Sequence, residues 1–121
     1  MLWIFPAIIV LAILSYIFPV IQVCGTSMLY TFNDGDIILG CRLFTLEKDA
    51  VYVFHPPAGE EYVIKRLTRI SETANKLFFE GDNPEHSYDS RMYGYVSRDK
   101  VVARYFCTIH RRKEYDCNGN S

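Results

Sequence analysis

The chain has 121 residues, which allows one compact domain but not two. Its 13 basic and 14 acidic side chains give a net charge of -1, so the chain has neither a basic field for gathering nucleic acid nor an acidic tail. The cysteines have neither the spacing of a zinc site nor the density of a disulfide scaffold, and we expect no metal or cofactor. They are Cys24, Cys41, Cys107 and Cys117. A Cys107–Cys117 disulfide and free thiols both remain open.

Residues 2–23 form an apolar segment without a charged side chain. A helix of this length is roughly 33 Å long, and the hydrocarbon core of a bilayer is about 30 Å thick. We therefore predict a transmembrane helix over residues 1–23. Pro19 is expected to end or kink it near Phe18. A cleaved secretory signal is disfavoured because the segment lacks a basic start and has no small-residue cleavage site before Cys24.

After Cys24 the sequence consists of short apolar or β-branched runs separated by turn residues, which is typical of a mostly β domain. The runs predict five strands, and no amphipathic helix of ten or more residues is predicted among them. The strands are residues 36–42, 51–55, 61–70, 76–80 and 100–109. We place the β-rich domain at residues 24–109 and a polar C-terminal tail at residues 110–121.

Ser27 lies directly after the apolar segment, in the sequence Gly25-Thr26-Ser27-Met28. A serine in a glycine-containing turn is usually a cap or turn residue. Its position alone therefore does not indicate catalysis.

Lys65 lies inside the third predicted strand, where alternation places it on one face with Val63 and Leu67 and leaves Arg66 free to reach solvent. An ordinary lysine has a pKa near 10.4 and is almost entirely charged at pH 7. Burial would lower that pKa and provide a base for a serine hydroxyl. Spacing alone favours the alternative of a surface lysine on an edge strand.

Three motifs in chain order resemble those of type I signal peptidases. Residues 25–32 (GTSMLYTF) and 34–39 (DGDIIL) are similar to the nucleophile box of that family, and residues 62–67 (YVIKRL) to its lysine box. Residues 81–94 (GDNPEHSYDSRMYG) match the family signature GDN-x3-S-x-DSR-x2-G. The resemblance covers nearly the whole chain. It implies a compact β catalytic domain behind one N-terminal transmembrane helix.

The resemblance implies a role for each matching residue. Ser27 would be the nucleophile, its backbone N–H would stabilise the oxyanion, and Lys65 would be the general base. Ser87 would hold the lysine through a hydrogen bond. An Asp89–Arg91 ion pair would brace the loop, and the other supporting residues would be Gly81, Asp82, Asn83 and Ser90. The walls of pockets for small substrate side chains would be Met28, Leu29 and Val63.

Several positions depart from the usual pattern of this family. Tyr30 replaces a proline, and Gly25 lacks the hydroxyl that some members use as a second oxyanion donor. Lysine at position 65 is typical of the bacterial and organellar branch. About ten residues separate Ile70 from Gly81, where larger members carry extra strands. This short form resembles dedicated maturation peptidases as much as housekeeping enzymes.

The resemblance implies a membrane-bound serine endopeptidase that removes signal or leader peptides from preproteins. The bilayer would be a partner, nucleic acid would not, and the catalytic domain would lie on the extracytoplasmic side of the cell membrane. A non-catalytic assembly factor for surface proteins such as pilins is the main alternative, and the presence of both Ser27 and Lys65 argues against it. A self-cleaving repressor is disfavoured because the chain lacks a helix-turn-helix segment.

Overall fold

The computed structural model describes residues 2–57 and 61–111 of the chain. Helix α1 (Ile4–Ile17) comes first, and a one-turn helix, α2 (Ser90–Tyr93), lies late in the chain. The strands are β1 (Val20–Gln22), β2 (Ile37–Cys41), β3 (Val51–Phe54), β4 (Val63–Ile70), β5 (Lys76–Glu80), β6 (Val96–Ser97) and β7 (Val101–His110). They form one antiparallel sheet in the order β1-β2-β7-β3-β4-β5-β6. The prediction of a mostly β fold is confirmed.

All five predicted strands are present, with ends within two residues of those predicted. Strand β3 ends before Pro56 and Pro57, neither of which can donate to a ladder. Strands β1 and β6 were not predicted, because three and two residues are too short to show a period-two pattern.

The predicted helix over residues 1–23 is wrong in length, because α1 ends at Ile17. Phe18 still donates its N–H to the Leu14 carbonyl at 2.9 Å, but Pro19 has no N–H with which to continue the ladder. Phe18 leaves the helical region with φ -116° and ψ 81°, as expected for a residue before proline. Strand β1 follows and pairs with β2. The described ranges contain no helix that is both long and apolar enough to cross a membrane.

Two apolar clusters pack on opposite faces of the sheet, and β3 contributes to both because all four of its side chains are buried. The first cluster consists of Val23, Met28, Phe32, Ile38, Val51, Val53 and Ile64. The second cluster consists of Tyr52, Phe54, Leu67, Leu77, Phe79 and Val96. Burial of each large side chain contributes roughly 1.5–3 kcal/mol. Strand β4 lies between the clusters, so the side chain of Lys65 is surrounded by packed structure.

Most of the predicted tail, residues 112–121, lies outside the described residues together with Cys117. Strand β7 itself reaches His110, one residue into the predicted tail. Cys24, Cys41 and Cys107 are free thiols.

Candidate active site

Ser27 and Lys65 meet at the start of residues 81–94, which we call the signature loop, although 38 positions separate the two residues in the chain. Lys65 Nζ donates a hydrogen bond to Ser27 Oγ at 2.5 Å. Only 6% of Lys65 is exposed. Burial lowers the pKa of the amine, and the negative charge of Asp89 opposes that shift in part. The arrangement gives a serine hydroxyl a neighbouring amine whose neutral form burial favours.

Ser27 lies in a tight turn at the end of the segment that follows β1. Leu29 donates its N–H to the Thr26 carbonyl at 3.2 Å, and Phe32 donates to the Met28 carbonyl at 2.8 Å. Met28 is 1% exposed and anchors the turn in the first cluster. Among the described residues, the Ser27 N–H has no hydrogen-bond acceptor. That donor is therefore available to an oxyanion forming beside the hydroxyl.

Asn83 holds the carbonyl side of the same turn. Its backbone N–H donates to the Ser27 carbonyl at 2.7 Å, and its side-chain amide donates to the Thr26 carbonyl at 2.9 Å. The Asp82 N–H approaches Met28 Sδ at 3.4 Å. The signature loop thus fixes the backbone of the nucleophile through contacts on three successive residues.

Gly81 allows the loop to approach this closely. A Cβ at this position would overlap Ser87 Oγ and would lie 2.6 Å from Ser87 Cβ and 2.7 Å from the Ser27 carbonyl oxygen. Real Cβ atoms essentially never approach other atoms so closely. Gly81 is therefore required by space at this position, rather than by a special backbone conformation.

Asp89 is a buried hydrogen-bonding centre below the dyad. It accepts from Ser87 Oγ at 2.5 Å and from Gly81 N at 2.8 Å, and it forms an ion pair with Arg91 at 2.5 Å. Burial raises the pKa of Asp89, but hydrogen bonds from Arg91, Gly81 and Ser87 more than offset it and hold the pKa well below its usual value. Asp89 also caps α2, and Ser90 Oγ accepts from Phe79 N at 2.9 Å.

The hydrogen bond of Ser87 differs from the one expected from the resemblance. Its hydroxyl donates to Asp89 and not to Lys65. The physical reason is that an ionised carboxylate is a strong acceptor for a hydroxyl. Asp89 links the two residues, because it accepts from Ser87 and its negative charge raises the pKa of Lys65.

A groove of about 550 Å³ lies along the sheet, and its lining includes Cys24 and Ile64 but neither Ser27 nor Lys65. One wall is β1 and the segment up to Cys24, and the other is Tyr62, Val63 and Ile64. Within the described part of the chain, both walls present unpaired strand edges, since β1 pairs with β2 alone and β4 pairs with β5 only from Arg66 onward. Each wall runs directly into one member of the dyad.

The three expected pocket residues occupy different places. Val63 lines the groove, whereas Met28 is buried in the first cluster with its sulphur accepting from Asp82. Leu29 is half-buried and is not part of the groove lining. Within residues 2–57 and 61–111, no group of three or more His, Cys, Asp or Glu side chains could hold a metal ion.

The family model for signal peptidase, peptidase S26, matches residues 67–109. This match supports membership of the type I signal peptidase family. The matched stretch runs from β4 to β7 and contains the whole signature loop, whereas Ser27 and Lys65 precede it. None of the curated proteins matches the chain significantly.

Sequence reasoning did not find two contacts of this candidate site. Arg66, expected to reach solvent, pairs with Asp82 through Nε and Nη2 at 2.9 and 2.8 Å. Thr31 Oγ1 donates to the same carboxylate at 2.5 Å. Burial raises the pKa of Asp82, but Arg66 and Thr31 lower it overall. The position of Arg66 directly after Lys65 indicated only that the two side chains point to opposite faces of the sheet, and no signal in the sequence named Asp82 as its partner.

Proposed function

We propose that this chain is a serine endopeptidase of the signal peptidase family that cleaves N-terminal signal or leader peptides from preproteins, with Ser27 as nucleophile and Lys65 as general base. The hydrogen bond of 2.5 Å between Lys65 Nζ and Ser27 Oγ carries the proposal. It joins a buried amine of lowered pKa to a serine hydroxyl, and the groove lined by Cys24 and Ile64 lies close to both residues in the chain. Apolar surroundings and a paired base are the usual requirements for activating a serine.

The reaction follows from these positions. Neutral Lys65 takes the hydroxyl proton as Ser27 Oγ bonds to the scissile carbonyl carbon, and the carbonyl oxygen becomes an oxyanion facing the Ser27 N–H. Lys65 then gives the proton to the leaving amine as the C–N bond breaks. Water attacks the resulting ester, with Lys65 again accepting a proton, and Ser27 Oγ regains one as it leaves.

The groove suits an extended peptide chain. Two unpaired strand edges face it, so a substrate can complete both ladders through its main chain while alternate side chains enter the apolar floor. Val53 and Val102 lie on that floor. The resemblance to type I signal peptidases implies small side chains at the first and third positions before the cut, and the short β4–β5 connection is consistent with a dedicated maturation peptidase.

We also propose that α1 contacts a lipid bilayer and that the catalytic domain lies on the extracytoplasmic side. Every described side chain from Leu2 to Tyr16 is exposed, and none is charged. At the end of the helix, the Arg42 guanidinium lies 4.8 Å from the Tyr16 ring centroid and donates to the Tyr16 carbonyl at 2.7 Å. Aromatic and basic side chains are frequent at membrane–water interfaces. Flotation with phospholipid vesicles tests the contact, and recovery only in the unbound fraction would contradict it.

Purified protein should cleave a preprotein at one site, and both Ser27→Ala and Lys65→Ala should lose this activity by at least about a thousandfold, because each removes a partner of one chemical unit. Mass spectrometry of the products gives the position of the cut. Ser71→Ala, which changes a serine in the β4–β5 turn, is the matched control and should cleave at the wild-type rate.

Cleavage by Ser27→Ala at the wild-type rate would exclude the proposed mechanism. Two results together would instead favour the non-catalytic assembly factor. They are that wild-type protein cleaves no preprotein and that Ser27→Ala retains full biological activity in cells.

A further inference from the structure

The turn over residues 33–36 contacts the segment that leads into the nucleophile. Val23 donates its N–H to the Asp36 carbonyl at 2.8 Å, and Gly35 donates to the Val23 carbonyl at 2.7 Å. One step closer to Ser27, Gly25 donates its N–H to Asp34 Oδ1 at 2.6 Å. Asp34 is 8% exposed. A buried carboxylate therefore binds the backbone two residues before the nucleophile.

Gly25 makes few contacts with the rest of the protein. It has no side chain, its φ of +94° is rarely adopted by other residues, and nothing lies within 4 Å of the place where a Cβ would be. A glycine in such a position has a wide range of accessible backbone angles, and its N–H is a group through which the fold can restrict them.

We infer that Asp34 is a positioning residue for the nucleophile: by accepting the Gly25 N–H, its carboxylate fixes the entry to the turn that aims the Ser27 hydroxyl and N–H. This inference rests on the proposed function. Asn83 holds the exit side of the same turn through the Thr26 and Ser27 carbonyls. Ser27 is thus held between two hydrogen-bonded supports from different parts of the chain.

The same bond determines which N–H groups face the reaction. The Gly25 N–H is committed to Asp34, whereas the Ser27 N–H is available. A hydrogen bond to an ionised carboxylate is roughly twice as strong as one to a neutral acceptor. The backbone therefore keeps a fixed orientation in which Ser27, and not Gly25, supplies the oxyanion donor.

Replacement of Asp34 separates this role from a general contribution to folding. Asp34→Ala should lower kcat on preprotein by on the order of 100-fold with KM little changed, because misplacement of a reacting group by about 1 Å has that cost. Asp34→Asn keeps an oxygen in place and should recover most of the rate. Asp99→Ala removes an exposed aspartate and should match wild type. The pH at which the rate rises should be the same in all four proteins, because Lys65 is unaltered.

A second measurement does not need turnover. The chain has seven glycines, so ¹⁵N-glycine labelling gives a simple amide spectrum in which Gly25→Ala identifies one peak. The Gly25 amide proton should lie far downfield in wild type and move upfield in Asp34→Asn, where the acceptor is neutral. If Asp34→Ala does not fold, this shift and a several-fold lower kcat in Asp34→Asn carry the test.

The inference would be overturned by a Gly25 amide proton whose shift is the same in wild type and Asp34→Asn, or by an Asp34→Ala protein with wild-type kcat. In either case, Ser27-dependent cleavage would leave the proposed function standing. Equal losses of activity and melting temperature in Asp34→Ala and Asp34→Asn would also overturn it, since they indicate only a structural role. A wild-type protein without Ser27-dependent cleavage would instead refute the proposed function.

Discussion

Replacing Gly81 with alanine should lower kcat/KM by on the order of 100-fold or more, although the change adds one methyl group to a residue that has no reacting atom. The new Cβ would overlap Ser87 Oγ and lie 2.7 Å from the Ser27 carbonyl oxygen. Neither neighbour can yield freely, because the Ser27 carbonyl accepts from Asn83 and the Ser87 hydroxyl donates to buried Asp89. The loop must move away, and the hydrogen bonds that aim Ser27 are lost with it. Overpacking of this kind costs about 1–3 kcal/mol of stability.

Gly94→Ala is the matched control for this substitution. Gly94 has φ +83°, so alanine introduces backbone strain of about 1 kcal/mol, but no atom lies within 4 Å of the added Cβ. It should lose stability and keep its rate per folded molecule. Equal kcat/KM values for the two variants, after correction for the folded fraction in urea titrations, would contradict the account of Gly81.

Lys65→Met should abolish cleavage and yet raise the free energy of unfolding at neutral pH, because the buried amine has a lowered pKa. Methionine has a similar shape and fills the space beside Val63 and Leu67 without an amine that must lose its hydration. Functional groups held in unfavourable surroundings commonly reduce stability in this way. Lys76→Met, which changes an exposed lysine on β5, is the control and should shift stability by less than about 0.5 kcal/mol.

The sign of the pH dependence follows from the lowered pKa of Lys65. Between the folded-state pKa and the ordinary value of 10.5, the unfolded chain binds a proton that the folded protein does not. The free energy of unfolding of wild type therefore rises with pH across this window. The advantage of Lys65→Met should be largest below the folded-state pKa and should disappear as the pH approaches 10.5. Urea titrations at several pH values measure it, and a gap that stays constant with pH would contradict the burial of this amine.

The central elements of the fold could be predicted because their patterns are long enough to read. Strand β4 spans eight residues, and the period-two geometry of a strand placed Lys65 on the same face as Leu67, which is in the second cluster. The motifs around Ser27 and Gly81 contain several fixed residues each, which is why they resembled the signal peptidase family before any distance was known.

The remaining features depend on contacts between residues that are distant in the chain, and a sequence pattern does not contain them. Residues 20–22 continue the uncharged segment that contains α1, and the missing N–H of Pro19 together with the edge of β2 directs them into the sheet. Arg66 was assigned to solvent because its partner Asp82 comes from a loop 16 positions away. Ser87 donates to Asp89, and the burial and partners of that carboxylate depend on contacts that the motif alone does not contain.

The pH dependence of kcat/KM tests the pairing of Ser27 with Lys65 most directly, because this constant reports the ionisation of the free enzyme. Cleavage of one peptide substrate should increase as pH rises through an apparent pKa clearly below the ordinary lysine value of 10.5, since only the neutral amine can accept the Ser27 proton. A rate that is independent of pH across this range, or that rises only near 10.5, would contradict the assignment of Lys65 as the base.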